Sequence, residues 1–522
     1  MDVLEDRQED FESLAAAVPR FASMVLAPEG DLDAPDIPTP RSYAEAITSP
    51  YSSQWQAAID AEMASWKSTS TYVNAVPPSR ANLVNGMWIF RMKWPLGSRS
   101  AFKARYVARG FNQRQGVDYF HTFSPTPKMT TLRVLLHFAA QRDYELHPLD
   151  FSTTFLQGSL HEEIWLRHPP GFTGSFPAGT QWSLQGRVYG LRQAPREWHD
   201  TIRSTLAALG FTPSTTDLAL FLRTDTSLPP FYVLVYVDDL VFATTDTKAL
   251  TLVKSELQKR HTCTDLGELR SYLGLQITRD RARRTITLTQ SHMVHQVLQH
   301  FGFQFSSPQP TPLSTGHSFS APPLDESVEP SGPYPELVGC LMYLMTCTRP
   351  DLAYPLSILA RYVALVCRAW GSCLEDRIQF SSLVMQTLLG SSCEAQFYAG
   401  AMVAQEIRWL TYLLTDLGEQ PRSSLVLYVD NKAMIALSQE HKLEHQTKHI
   451  APRYFLAREL QQRDQLRLAY VATRANTAHI FTKTPPPGDH HRFSTVLDLL
   501  ALLFLDWSCD HLLSPTLPMG VC

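Results

Sequence analysis

Residues 231–244 read FYVLVYVDDLVFAT. An apolar run closes on Tyr236-Val237-Asp238-Asp239, and a second apolar run starts at once. Two apolar runs joined by a tight polar pair predict a β-hairpin. Two adjacent carboxylates then stand at its tip. Side by side and partly dehydrated they repel, and one tends to take up a proton. A divalent cation removes that penalty, and hard carboxylate oxygens suit Mg²⁺. The same dipeptide also suits a plain turn, because Asp is a common turn former.

The surrounding chain is long enough, at 522 residues with 44% hydrophobic content, for roughly two to four domains with real cores. Its net charge of −4 averages unlike parts. Residues 1–40 hold ten Asp or Glu against Arg7 and Arg20, whereas residues 63–117 hold nine Lys or Arg and no acid. That asymmetry sets an acidic leader beside a stretch able to meet polyanions. The eight cysteines form no CxxC pair, and no Cys/His zinc spacing occurs. Met1 to Glu12 is acidic rather than basic then apolar, unlike a signal peptide. An intracellular protein with reduced thiols is expected. Val496 to Leu505 is too short to span a bilayer and is broken by Asp498, so no membrane partner is expected.

Upstream, the apolar spacing Trp55, Ala58, Ile59, Met63, Trp66 predicts one helix. In Met87 to Phe111, Arg91 and Lys93 alternate with Phe90, Met92 and Trp94; Lys103 and Arg105 alternate with Ala104 and Tyr106. Period-two alternation predicts a two-stranded ribbon with one basic and one apolar face. Such a face suits phosphate contact, although lysines on a solvated edge are ordinary protection against aggregation. Helices are expected over Lys128 to Ala140, from Trp198 to the stop at Gly210, over Lys248 to Arg260 and over Ser291 to Phe301. Asp150 follows a short apolar approach in ELHPLDF, where a lone Asp also suits a cap or turn. Further on, apolar helices broken at Arg349-Pro350 are expected over Leu337 to Tyr362, a long helix over Ser391 to Leu414, and strand–turn–helix over Leu425 to Leu437.

In order, KARYVARGFNQRQGVDYFHTFSP (Lys103–Pro125), LDFSTTFLQGSLHEEIW (Leu149–Trp165), YGLRQAPREW (Tyr189–Trp198), LVYVDD, DLGELRSYLGLQI (Asp265–Ile277), TRPDLAY (Thr348–Tyr354), SSCEAQFYA (Ser391–Ala399), YVDNKAMI and TKHI (Thr447–Ile450) run through residues 50 to 490. This series resembles the reverse transcriptase and RNase H portion of a copia-type LTR retrotransposon polyprotein. The resemblance implies an α+β chain: a right-hand polymerase fold of fingers, palm and thumb, followed by a truncated RNase H-like α/β domain. It implies an RNA-directed DNA polymerase that uses two Mg²⁺ ions held by Asp150, Asp238 and Asp239. RNA template, DNA primer and deoxynucleoside triphosphates are the implied partners. Lys103 and Arg105 would hold phosphates, Gln193 would line the nucleotide pocket, and the Phe155 ring would lie under the sugar. For Gln193 a surface amide, and for Phe155 plain core packing, remain open. Leu273-Gly274 matches the turn that would grip the primer end.

The second domain departs from the family. Glu394 and Asp430 match two of the four RNase H carboxylates. The first aspartate belongs to a motif reading roughly SDADWAG, which is absent; Trp370 leads through GSCLEDRIQFSSLVMQTLL to Ser391, with Asp376 and Glu375 the only acids there. His479 stands where the fourth carboxylate is expected, and imidazole is a poor Mg²⁺ ligand. Ribonuclease activity is therefore expected to be crippled or absent, and strand Leu425 to Val429 is expected to lack partners. The expected organisation is a poorly ordered acidic, Pro-rich leader at 1–50, the reverse transcriptase at 51–305 and a Pro/Ser-rich linker at 306–335. Connecting helices at 336–370, a degenerate RNase H-like domain at 371–490 and an unassigned tail at 491–522 follow. A catalytically dead remnant that keeps nucleic-acid binding is the alternative to an active polymerase.

Overall fold

A computed structural model describes residues 38–93, 101–151, 160, 162–314, 334–368, 392–419, 424–439, 456–503 and 520–521. They are α+β throughout and divide into two compact units. One is built from residues 23–135 and 142–274, the other from the remainder of the chain. The division after Gly274 differs from the 51–305 segment expected from sequence. Strands Leu275–Asp280 and Thr285–Thr289 pair as a hairpin.

A six-stranded sheet anchors the first unit. Its order is Cys263–Asp265, Glu145–Phe151, Asp239–Thr244, Phe231–Tyr236, Leu220–Arg223, Phe211–Pro213. All neighbours run antiparallel. Side chains alternate across a strand. Leu149, Phe151, Phe231, Val233, Val235, Leu240 and Phe242 therefore share one face. There they pack on Trp198, Ile202 and Leu206 of helix Ala194–Ala208 and on Leu250, Val253 and Leu257 of helix Thr247–Arg260. Burying each large apolar side chain contributes about 1.5–3 kcal/mol, which fixes strand register against a one-residue slip. Asp150 and Asp239 have the opposite parity and lie on the other face.

A second core in the same unit joins helix Ser52–Ser68 to the ribbon Gly86–Lys93/Ala101–Ala108. Trp55, Ile59 and Trp66 of the helix are fully buried with Trp88, Phe90, Met92, Ala104, Tyr106 and Ala108 of the ribbon. The Trp55 ring meets Phe102 edge-on at 4.7 Å. On the ribbon's other face Arg91 stands opposite Lys103 and Ile89 opposite Arg105. The ribbon tip, 94–100, lies outside the described residues. A four-stranded sheet, Tyr72–Ala75, Gln181–Leu184, Trp165–Leu166, Leu83–Val84, adds Trp182, which stacks on Tyr72 at 4.1 Å. Its strands are too short to show an alternation in the sequence.

Two expectations need correction. Part of the leader is ordered: residues 43–48 form a helix, and Ala46 is fully buried in the core. The Ser42 hydroxyl accepts from the Glu45 N–H at 3.2 Å, and the Glu45 carboxylate accepts from the Arg41 N–H at 2.8 Å. Ser-x-x-Glu before a short apolar run is a legible helix start, obscured here by the neighbouring prolines. The remainder of the leader, 1–37, lies outside the described residues.

The second correction concerns strand Leu425–Val429, which does not lack partners. It pairs in parallel with Leu466–Tyr470 along its full length and with Gly520–Val521 on its other side. Parallel neighbours need a crossover. Residues 430–465 supply one that includes helices Lys432–Gln439 and Leu456–Gln462. Leu427, Val429, Met434, Leu456, Leu460, Leu466 and Leu468 form a core with Ala404 of the long helix Ser392–Asp416. Part of the supposed tail belongs to the fold: helix Pro487–Leu503 begins before residue 491. The break at Arg349-Pro350 separates helices Tyr334–Cys347 and Ala353–Arg368.

Candidate active site

The hairpin Phe231–Tyr236/Asp239–Thr244 closes on a two-residue turn, Val237-Asp238, with Tyr236 opposite Asp239. Val237 has φ 53°, a conformation costly for a β-branched residue and held only where the surroundings over-determine it. Two contacts do so here. The Trp198 indole N–H donates to the Val237 carbonyl, and the Phe151 N–H donates to the Asp238 carbonyl at 3.0 Å. The turn is thereby tied to both the helix and the strand that carries Asp150. On the neighbouring strand, Asp150 stands directly opposite Asp239, with Thr264 on its other flank. Asp150 is therefore neither a cap nor a turn. Like charges directly opposite on a sheet destabilise it.

Neighbouring side chains report that negative field. Burial pushes the Tyr189 phenol up to about 12; Arg105 opposes this, while Glu62, Asp238 and Asp150 add to it. Burial pushes Tyr272 well above its usual range, helped by Asp239, Tyr236 and Asp238. The Tyr272 hydroxyl has no hydrogen-bond partner among the described residues. Burial likewise drives the Cys263 thiol up to about 11, with Asp265 and Asp150 contributing.

Positive charge arrives from the ribbon. The Arg105 guanidinium lies over the Tyr189 ring, 4.6 Å from its centroid. Lys103 and Arg91 stand opposite each other on the same face. Burial, then the Arg105 charge, lowers the Arg91 pKa.

Gln193 is 1% exposed and so is not a surface amide. Its Nε2 donates to the Asp118 carbonyl at 3.1 Å and to Glu162 Oε2 at 3.4 Å. Its Oε1 accepts from Gln113 Nε2 at 3.1 Å. Gln113 in turn accepts from the Arg192 N–H at 2.8 Å. The sequence reading did not single out Gln113, Asp118 or Glu162; all three lie inside the motifs quoted above. Leu273 and Gly274 both have positive φ, 50° and 73°, as a tight two-residue turn requires. Phe155 lies outside the described residues.

In the second unit, Asp430 follows strand Leu425–Val429, and His479 comes from the turn Thr477–Phe481. The structure brings these two together: His479 Nε2 donates to Asp430 Oδ2 at 3.1 Å, with both side chains under 10% exposed. Burial, followed by Lys483, lowers the His479 pKa, and Asp430 opposes that. Glu394 lies on helix Ser392–Asp416, with its side chain outside the description. Asp376 and Glu375 lie outside the described residues.

Sequence comparisons with known proteins agree on one family. The model for reverse transcriptase (RNA-dependent DNA polymerase) matches residues 69–315. A retrovirus-related Pol polyprotein from transposon TNT 1-94 of Nicotiana tabacum is 29% identical over 86% of this chain and 38% of its own length. The chain thus spans about two fifths of that relative. A putative transposon Ty5-1 protein of Saccharomyces cerevisiae is 34% identical over 41% of this chain and 69% of its own. Among solved structures, the foamy viral protease-reverse transcriptase in complex with dsDNA is 13% identical, with a TM-score of 0.41 over 90% of this chain and 97% of that one. With the motif series and the match to a relative covered over two thirds of its length, the chain belongs to the reverse transcriptase (RNA-dependent DNA polymerase) family of copia-type retrotransposons.

Proposed function

We propose that the first unit is a polymerase palm and fingers that extends a DNA primer on an RNA or DNA template. The observation that carries this reading is the register of Asp239 against Asp150, with Asp238 in the turn that Phe151 and Trp198 hold. Hard oxygens on adjacent strands fit Mg²⁺, which typically takes one or two protein carboxylates and completes its shell with water and substrate phosphate. Among the described residues no three His, Cys, Asp or Glu side chains form a metal cage unaided. Asp150, Asp238 and Asp239 would hold the Mg²⁺, whose charge would acidify the primer 3′-hydroxyl and offset that of the leaving pyrophosphate.

The chain's own residues bind and orient. Arg105 and Lys103 supply the positive charge that meets the triphosphate or template phosphates. Gln193 presents an amide fixed on both sides. The Phe155 ring would crowd a ribose 2′-hydroxyl, and Leu273-Gly274 would hold the primer end. In the second unit Asp430 is committed to His479, so we read that unit as an RNase H-like domain whose cleavage site is lost.

Primer extension on an RNA template with the purified chain and Mg²⁺ tests the polymerase. The wild type should extend, and Asp238→Ala should fall by roughly 10²- to 10³-fold or more. Equal rates for the two, or no extension at all, would leave only a nucleic-acid-binding remnant.

A further inference from the structure

Beside Gln193 lies a buried cluster with unmatched polar atoms. Glu197, on the first turn of helix Ala194–Ala208, lies within hydrogen-bonding reach of the Glu162 carboxyl. Two ionised carboxylates cannot make that contact, because neither can donate. Arg187, 3% exposed, does not resolve the conflict. Its Nε stands 3.8 Å from Glu197 Oε2, longer than a hydrogen bond. Arg187 Nη2 is spent on Thr201 Oγ1 at 3.2 Å. Arg187 Nε and Nη1 and Glu197 Oε2 have no hydrogen-bond partner among the described residues.

We propose that Glu197 keeps its proton and donates it to the Glu162 carboxylate, and that this singly charged pair positions Gln193 for the incoming nucleotide. The inference rests on the polymerase reading of Gln193. The lever is direct, since Glu162 Oε2 accepts from Gln193 Nε2. Loss of that proton to water leaves two negative charges in contact. They separate, and Gln193 gives up one of its anchors.

The charged groups facing Glu197 are Glu162, Arg187 and Asp200. Burial raises its pKa first, and then the Glu162 charge. Arg187 opposes, and the Glu162 hydrogen bond and Asp200 add, for a value of about 7. The Glu197 proton therefore leaves near neutral pH. His161, next to Glu162, lies outside the described residues.

The test pairs kinetics with spectroscopy on the full chain. Between about pH 6 and about pH 8, the KM for a deoxynucleoside triphosphate should rise roughly threefold to tenfold, with a smaller change in kcat. Glu197→Gln and Glu162→Gln should each flatten that rise, and Asp200→Asn should leave it in place. The same inflection persisting in Glu197→Gln overturns the proposal, because the titration then belongs to the nucleotide or another group. An infrared carboxylic-acid C=O band should fade across the same range and be missing from Glu197→Gln. No such band in the wild type overturns the protonated Glu197 itself. A band in a chain that extends no primer overturns the polymerase reading, and with it the role assigned to Gln193. Thermal melts of each variant separate misfolding from a kinetic effect.

Discussion

Val237 concentrates the strain of the site at one residue, and Trp198 is the side chain that holds it. The indole is 1% exposed, packs edge-on against Phe151 at 5.2 Å and donates to the Val237 carbonyl. Trp198→Phe keeps an aromatic ring and removes the donor. An unsatisfied buried carbonyl costs about 1–3 kcal/mol. The urea midpoint should drop by that equivalent, and primer extension should fall with it; an unchanged midpoint would show that the turn holds without the indole. The sequence made the Asp-Asp tip legible, because a tight turn between two apolar runs is a local signal. It did not reveal Trp198 as a clamp, because that contact depends on how the helix lies against the sheet.

At the scale of elements, a strand end and a turn meet through Asp430 and His479. Their hydrogen bond joins the strand Leu425–Val429 to the segment that leads into helix Pro487–Leu503. On the reading proposed above, this hydrogen bond is a structural tie between buried polar groups. The purified chain should show no Mg²⁺-dependent cleavage of an RNA–DNA hybrid, and His479→Asp should not restore it while lowering the melting temperature. Robust cleavage by the wild type would overturn the loss. That His479 stands where the resemblance expects an acid was legible from the motif; that it would hold Asp430 was not. The ribbon makes the converse case. Its basic and apolar faces follow from alternation alone, and the helix Ser52–Ser68 that covers the apolar face was visible as a separate periodicity.

At the scale of the whole molecule, buried titratable groups shape stability against pH. Burial lowers the pKa of His147, His168, His199, His261, His479 and His490. Each contributes stability that is present above the unfolded histidine value of about 6.5 and lost as pH falls. Glu62 and Glu197 are raised, chiefly by burial. Their contribution is present below the unfolded carboxylate value and lost as pH rises through the folded one. With six histidines set against two acids, unfolding just below about pH 6.5 should take up protons, and the melting temperature should fall toward about pH 5. Calorimetry in buffers of different ionisation heat measures that uptake; net proton release would refute it. By itself the sequence determined the hairpin, the two-faced ribbon, most helix extents and the family, because periodicity, turn chemistry and motif order are written over a few residues at a time. Tertiary structure alone decided the register that sets Asp150 directly opposite Asp239, that Arg105 lies over Tyr189, and that Glu162 meets Glu197. Those contacts join distant stretches, and strand register and burial, set by the packing of whole faces, bring them together.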